Sequence, residues 1–291
     1  MKLDDSRRSD NVDDERGAGV GSGGGYGLHL GIGGTLLVLV AGYFLGVNPM
    51  TLLGVITGAP DSGNSAPATA PVHDPASDHQ VDFVRAILGS TEDVWSAYFQ
   101  QQGKTYTPPT LVLFRGSFAS ACGRASAASG PFYCPGDQKV YLDLDFFRQL
   151  ATQFGAPGDF ARAYVIAHEV GHHVQDLQGI SSAAEHAEQR AGQVGANHVS
   201  IEVELQADCY AGVWAAQANR THKILEPGDL EQGLQAASSV GDDTLQKRMQ
   251  GTVVPDSFTH GTSAQRVKWF RRGFDGGQIE NCDTFKAGSA L

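Results

Sequence analysis

At 291 residues with 41% hydrophobic content, the chain is long enough to bury a core without covalent staples. Its formal net charge of −11, from 32 acidic and 21 basic residues with no basic stripe, excludes a nucleic-acid binder, because such proteins meet phosphates with clustered Lys and Arg. Acidity alone does not define a substrate.

Residues 1–26 are polar and then Gly-rich, a composition that buries too little apolar surface to offset the entropy of ordering, so a disordered tail is expected. From Gly27 to Pro60 there is no charged side chain, and Leu36 to Val47 is almost continuously apolar, so 27–57 is expected to cross a bilayer as one helix. A cleaved signal peptide is the main rival; the long polar stretch ahead of the apolar block and the lack of a compact small-x-small site argue against it. Lys2, Arg7, Arg8 and Arg16 precede the block, and no Lys or Arg follows it until Arg85. The positive-inside rule then makes the chain a single-pass membrane protein with a cytoplasmic N-terminus and everything after the helix extracytoplasmic. Residues 58–79, with Pro60, Pro67, Pro71 and Pro75 among Ser, Ala, Gly and Asp, form an expected extended linker.

The folded domain is expected over 80–291. It opens on a helix with Val81, Val84, Ile87 and Leu88 on one face and Trp95, Tyr98 and Phe99 beyond. Leu111 to Phe114 and Val140 to Leu142 are β-rich runs bounded by Pro108, Pro109, Gly136 and Asp137 and are expected to be strands. After Asp143 the pattern is helical, broken at Gly155 to Gly158, Gly179, Pro227 to Gly228 and Pro255. A small sheet beside several longer helices is an α+β layout.

The cysteines Cys122, Cys134, Cys209 and Cys282 contain no Cys-x-x-Cys pair, which argues against a zinc ribbon or a thioredoxin-like site. Three disulfide connectivities are open to them in an oxidising compartment. The short Gly- and Ser-rich stretch between Cys122 and Cys134 favours that pair, leaving Cys209 with Cys282; four reduced, buried thiols is the alternative in a cytosolic domain.

The chemistry is concentrated in two segments. Asp159 is positioned to cap a helix running to about Leu177, and this helix carries His168-Glu169-Val170-Gly171-His172. Residues four apart share a helix face, so His168 and His172 can converge on one metal ion, and Glu169 can reach a water on its open side without ligating it. A third ligand is expected downstream, on a helix over Ser200 to Ala218, where Glu204 and Asp208 are again four apart. Glu204 suits zinc, and Asp208 suits the outer N–H of a ligating imidazole, that of His168. Both acids sit in a run of buried character with Cys209, Val213 and Trp214, and a buried carboxylate needs a partner. Other histidines fit less well: His173 is rotated about 100° from His172 on the helix, while His186, His198 and His222 have polar, surface-like surroundings. His260, in a turn-like segment after Pro255, could hydrogen-bond a developing oxyanion but taken alone looks structural.

Together these motifs resemble the bacterial family of membrane-anchored neutral zinc metallopeptidases, in the zincin group that takes a Glu as third ligand. The matching segments are Arg7-Arg8-Ser9-Asp10-Asn11-Val12, Val140-Tyr141-Leu142-Asp143, His168 to His172, Glu204-Leu205-Gln206-Ala207-Asp208-Cys209, and Phe258-Thr259-His260-Gly261-Thr262 with Gln265-Arg266. The resemblance implies a zincin-like fold, an edge strand around Val140 to Leu142 alongside the cleft where an extended peptide or protein substrate adds, and a site role for His260. Two other functions use the same motifs: a non-catalytic, membrane-tethered binding or scaffold protein in which zinc is a clasp closed by a fourth ligand such as His198 or Cys209, and a hydrolase of a non-peptide amide or ester.

Overall fold

The computed structural model describes residues 1–17, 75–126 and 130–286. Among the described residues, six short strands lie in two sheets: β1 (Val12–Asp14), β2 (Thr110–Phe114), β3 (Ser117–Ser120), β4 (Gly123–Ser126), β5 (Phe132–Cys134) and β6 (Lys139–Asp143). The helices among the described residues are α1 (Pro75–Gln101), α2 (Asp145–Thr152), α3 (Asp159–Leu177), α4 (Ile180–Arg190), α5 (Gln193–His222), α6 (Asp229–Ser239), α7 (Asp242–Gln250) and α8 (Ser263–Gly276). Short 3-10 turns follow at Pro255–Ser257 and Ile279–Cys282. The α+β layout expected of the domain is the one observed.

The main sheet has the order β1, β2, β6, β5, with the first three strands parallel and β5 antiparallel to β6. In register, Leu111 pairs with Val140 and Leu113 with Leu142, and all four face the helical core. Their neighbours Val112, Phe114 and Tyr141 point the other way, into a smaller cluster with Ala125, Cys134, Phe118 and Phe132 beneath the β3–β4 hairpin. Burial on both faces explains why these strands read as unbroken apolar runs. It also corrects the expected edge strand. Val140, Tyr141 and Leu142 are buried in an interior strand: all three pair with β2, Val140 and Tyr141 also pair with β5, and among the described residues the edges of this sheet are β1 and β5. Strands of a parallel sheet covered on both faces are the ones that read as continuous apolar runs, so the pattern at Val140 to Leu142 marks an interior strand rather than an edge.

Glycines let the site-bearing helices approach closely. A Cβ on Gly273 of α8 would lie 1.9 Å from the Cys209 carbonyl oxygen, and one on Gly212 of α5 2.1 Å from that of Phe270. At Gly171 of α3, between the two candidate histidines, a Cβ would meet the Ala207 oxygen of α5 at 3.1 Å. Both expected disulfides are present, Cys122–Cys134 and Cys209–Cys282, with S–S distances of 2.05 and 2.01 Å.

The N-terminal segment departs most from expectation. Residues 1–17 are built into the domain: β1 pairs with β2, Ser9 and Asn11 donate to the buried Glu92 carboxylate, and Arg7 donates to Glu92 and Asp93. Ser, Asn and Arg donors satisfied by one buried acid order a segment whose composition reads as a tail. The membrane topology is corrected with it. No helix among the described residues is long and apolar enough to cross a membrane, and the stretch 27–57 lies outside the described residues. Met1–Gly17 and Pro71–Leu291 belong to one compact unit, whereas a single crossing between them would set them on opposite sides of a bilayer. The single-pass anchor, the cytoplasmic N-terminus and the extracytoplasmic domain deduced from it are therefore not upheld.

Candidate metal centre

Gly158, whose φ of 110° suits glycine, is the N-cap of α3, which runs to Leu177 as expected; Asp159 is its first residue rather than its cap and pairs with Arg162 at 3.6 Å. The helix turns His168 and His172 to one side, with ring centroids 4.7 Å apart and planes at 84°. α5 starts earlier than expected, at Gln193, and brings Glu204 up against both rings. His168 Nε2 lies 3.2 Å from Glu204 Oε2, and His172 Nε2 3.4 Å from Oε1.

The three residues fit a zinc ion on two counts. Two imidazoles and a carboxylate are a borderline donor set that zinc accepts, and their ligand atoms all lie within 4.8 Å of one another. Tetrahedral bonds of about 2.0 to 2.1 Å set neighbouring ligand atoms about 3.3 Å apart, close to both measured nitrogen–oxygen separations. Among the described residues this group holds no fourth His, Cys, Asp or Glu. Glu169, next to His168, is buried.

Behind the rings lies a charged layer. His168 Nδ1 approaches Asp208 Oδ1 at 3.0 Å, the partner expected of it, although the contact is too poorly aligned to count as a formed hydrogen bond and this nitrogen has no other. Asp208 is fully buried. It accepts from Arg266 Nε at 2.8 Å and Nη2 at 3.0 Å, and from the Tyr164 hydroxyl. Arg266 Nη2 also donates to the Tyr164 oxygen at 3.2 Å and stands 3.9 Å from Glu204. Burial pushes the Asp208 carboxyl up, but the Arg266 and His168 charges outweigh it and hold the group below its ordinary value. Burial likewise opposes ionisation of Glu204, which His172 and His168 hold well below the carboxylate range. Burial lowers His168 while Asp208 and then Glu204 raise it further, to about 10. The field between the two helices thus favours positive charge, as a cation site requires.

His173 turns away, as its helix angle implies. It is buried, donates from Nε2 to the Thr107 carbonyl at 2.7 Å and lies 3.1 Å from the Tyr133 hydroxyl; burial lowers its pKa. His186, His198 and His222 are exposed. His260 is half-exposed, with Nδ1 3.2 Å from Asp242 Oδ1. The other oxygen of Asp242 accepts the backbone N–H groups of Thr259, His260 and Gly261 at 2.8, 2.7 and 3.1 Å, so one carboxylate shapes the loop and orients its ring.

Tyr164, Arg266 and Asp242 were not assigned from sequence. Tyr164 had a usable signal, lying four residues before His168 on the same helix face. Arg266 stood in a recognised motif with no role; the capping box of Thr262 and Gln265 fixes the first turn of α8, from which it reaches inward. Asp242 reads as one of two acids opening a helix, and nothing local predicts what folds over it.

The chain is 47% identical over 291 residues to the uncharacterized protein YpfJ of Escherichia coli (strain K12), covering 98% of this chain and 99% of that one. It is 43% identical over 215 residues to the uncharacterized proteins Mb2605 of Mycobacterium bovis and Rv2575 of Mycobacterium tuberculosis (strain H37Rv), covering 70% of this chain and 72% of theirs. No solved structure matches. A family model described as "Putative neutral zinc metallopeptidase" matches residues 1–285, and the chain belongs to that family.

Proposed function

We propose that the chain is a zinc-dependent peptidase that hydrolyses peptide bonds in peptide or protein substrates, with His168, His172 and Glu204 as ligands and Glu169 as general base. The observation that carries this is the meeting of both Nε2 atoms with the two oxygens of Glu204 at 3.2 and 3.4 Å. Zinc, when bound there, lowers the pKa of a water toward about 7 and polarises the carbonyl under attack. The chain supplies the rest. Glu169 takes a proton from the attacking water and delivers it to the departing amine. Arg266 and Tyr164 fix the Asp208 carboxylate 3.0 Å behind His168 Nδ1, where it is placed to orient the ring once the imidazole ligates the metal. His260, oriented by Asp242, donates to the oxygen of the carbonyl as it gains negative charge.

A zinc clasp is less well supported. Cys209 is bonded to Cys282, and His198 is exposed outside the three-residue group, so neither named candidate for a fourth ligand is in position.

The test compares wild type with Glu169→Gln and His172→Ala for zinc content and for peptide products across a proteome-derived library. Glu169→Gln is expected to keep zinc and lose hydrolysis, while His172→Ala loses both. Hydrolysis by Glu169→Gln at the wild-type rate would overturn the assignment of the base, and cleavage confined to non-peptide amides or esters would overturn the substrate class.

A further inference from the structure

We infer that Gln175 and Gln206 are positioning residues for His172: they form a directional amide relay, anchored on the Cys282 carbonyl, that fixes which ring nitrogen of His172 carries its proton. The inference rests on the zinc reading above and adds how the second ligand is held.

The direction of each bond follows from donors and acceptors alone. The oxygens of Val203 and Cys282 are backbone carbonyls and can only accept. Gln206 Nε2 lies 3.0 Å from the Cys282 oxygen, so the Gln206 amide nitrogen faces that carbonyl and its Oε1 faces inward. Gln175 Nε2 lies 2.8 Å from the Val203 oxygen and 2.9 Å from Gln206 Oε1, which uses both of its N–H groups. Gln175 Oε1 is thereby left facing His172 Nδ1 at 2.9 Å, where it can only accept. Nδ1 is therefore the nitrogen that donates to Gln175, and Nε2 is the one turned toward Glu204 and His168. Both glutamine side chains are buried, Gln175 completely, so water does not compete for these bonds.

The two ligands are held by different means. His168 backs onto a charged carboxylate, whereas His172 backs onto a neutral amide whose orientation is set two residues away on α5 and at the C-terminal 3-10 turn. Cys282, which supplies the terminal acceptor, is bonded to Cys209, the residue after Asp208. One covalent link thus fastens the end of the relay to the helix that carries the third ligand.

The experiment measures zinc affinity by chelator competition in the full chain, together with the exchange rate and chemical shift of the His172 Nδ1 proton by NMR in the zinc-loaded protein. Gln175→Met, of similar volume without the acceptor, is expected to bind zinc about 10- to 100-fold more weakly and to lose the slowly exchanging Nδ1 proton. Gln175→Glu keeps an acceptor facing His172 but loses both N–H donors to Val203 and Gln206, so it is expected to keep the slowly exchanging Nδ1 proton while binding zinc more weakly than wild type. Gln206→Met guards against a folding failure of the first variant and is expected to weaken zinc in the same direction while leaving Gln175 in place. Wild-type affinity and an unchanged Nδ1 signal in Gln175→Met would overturn the relay and leave the zinc reading standing. Failure of wild type itself to bind zinc would overturn the zinc reading, and the relay as a device for holding metal with it. Loss of the Nδ1 proton signal in Gln175→Glu as complete as in Gln175→Met would show that no acceptor at this position holds the ring and likewise overturn the inference.

Discussion

Arg266 of α8 grips both carboxylate oxygens of Asp208 in the buried layer behind His168, Nε to Oδ2 at 2.8 Å and Nη2 to Oδ1 at 3.0 Å. The pair joins the helix that orients the site to the helix that closes it, and removing one member leaves the other as an uncompensated buried charge. Arg266→Met is therefore expected to lower unfolding stability by about 3 to 5 kcal/mol. Denaturant unfolding of the metal-free protein measures it. Arg266→Lys keeps the charge but not the two-pronged geometry and should fall between the two. An unchanged midpoint in Arg266→Met would mean that Asp208 does not depend on its partner.

The His260–Asp242 pair predicts a pH dependence. The bond from Asp242 raises His260 above 6.5. Burial pushes Asp242 up, but the bonds from His260 and the loop N–H groups hold it below 3.8. A raised histidine stabilises the fold below 6.5 and loses that contribution as pH rises through its folded value; a depressed carboxyl contributes above 3.8 and loses it as pH falls through its folded value. The pair is thus intact between those two folded values. Because the proposed oxyanion donor is the protonated ring, kcat/KM should fall on an alkaline limb lying above 6.5. Asp242→Asn removes the main cause of the shift, so the limb should move down toward 6.5; a limb that stays in place would rule out His260 as its origin.

The His168, His172 and Glu204 group that could hold a metal was legible in sequence because the spacing within each helix is local. His168 with His172, and Glu204 with Asp208, are each one helical turn apart, and one turn fixes a shared face whatever the tertiary fold. Of the six strands among the described residues only β2 and β6 were legible, as short β-rich runs bounded by Pro, Gly and Asp; β1, β3, β4 and β5 are too short or too polar to carry such a signal. Arg266 and Asp242 act across helix contacts separated by 58 and 18 residues along the chain, and no periodicity encodes such a pairing. The tail misled because composition counts apolar surface, while residues 1–17 are held by specific polar bonds to Glu92 and by a strand pairing whose partner, β2, lies about a hundred residues away.

Gly171 predicts how closely α3 must lie on α5. Its absent Cβ would sit 3.1 Å from the Ala207 oxygen and 3.2 Å from the Ala207 Cα, so even alanine must push the helices apart by a few tenths of an ångström. That displacement falls between the two histidines and one turn from Glu204. Gly171→Ala is expected to cost about 1 to 3 kcal/mol by overpacking, with a gain in helix propensity offsetting part of it. Zinc affinity should fall as well, since the ligand-to-ligand spacing opens. Calorimetry and zinc competition together check this, and unchanged zinc affinity would show that the helix spacing does not set the site.

The two disulfides should separate stability from metal binding. Loop-closure entropy assigns about 3 kcal/mol to Cys122–Cys134, which closes a separation of 12 residues, and about 4 kcal/mol to Cys209–Cys282, which closes 73. By chain entropy alone the two losses are similar. Their positions differ more. Cys122–Cys134 ties β5 to the loop after β3 on the outer face of the sheet, where it touches no ligand. Cys209–Cys282 holds the carbonyl that ends the Gln206 and Gln175 relay and sits beside Asp208. Cys122→Ala with Cys134→Ala should therefore lower the melting temperature while leaving zinc affinity unchanged. Cys209→Ala with Cys282→Ala should lower both, because releasing the 3-10 turn frees the Cys282 oxygen from Gln206. Melting curves and chelator competition on the two double variants measure the difference, and an equal effect on zinc from both would detach the metal site from the C-terminal bond.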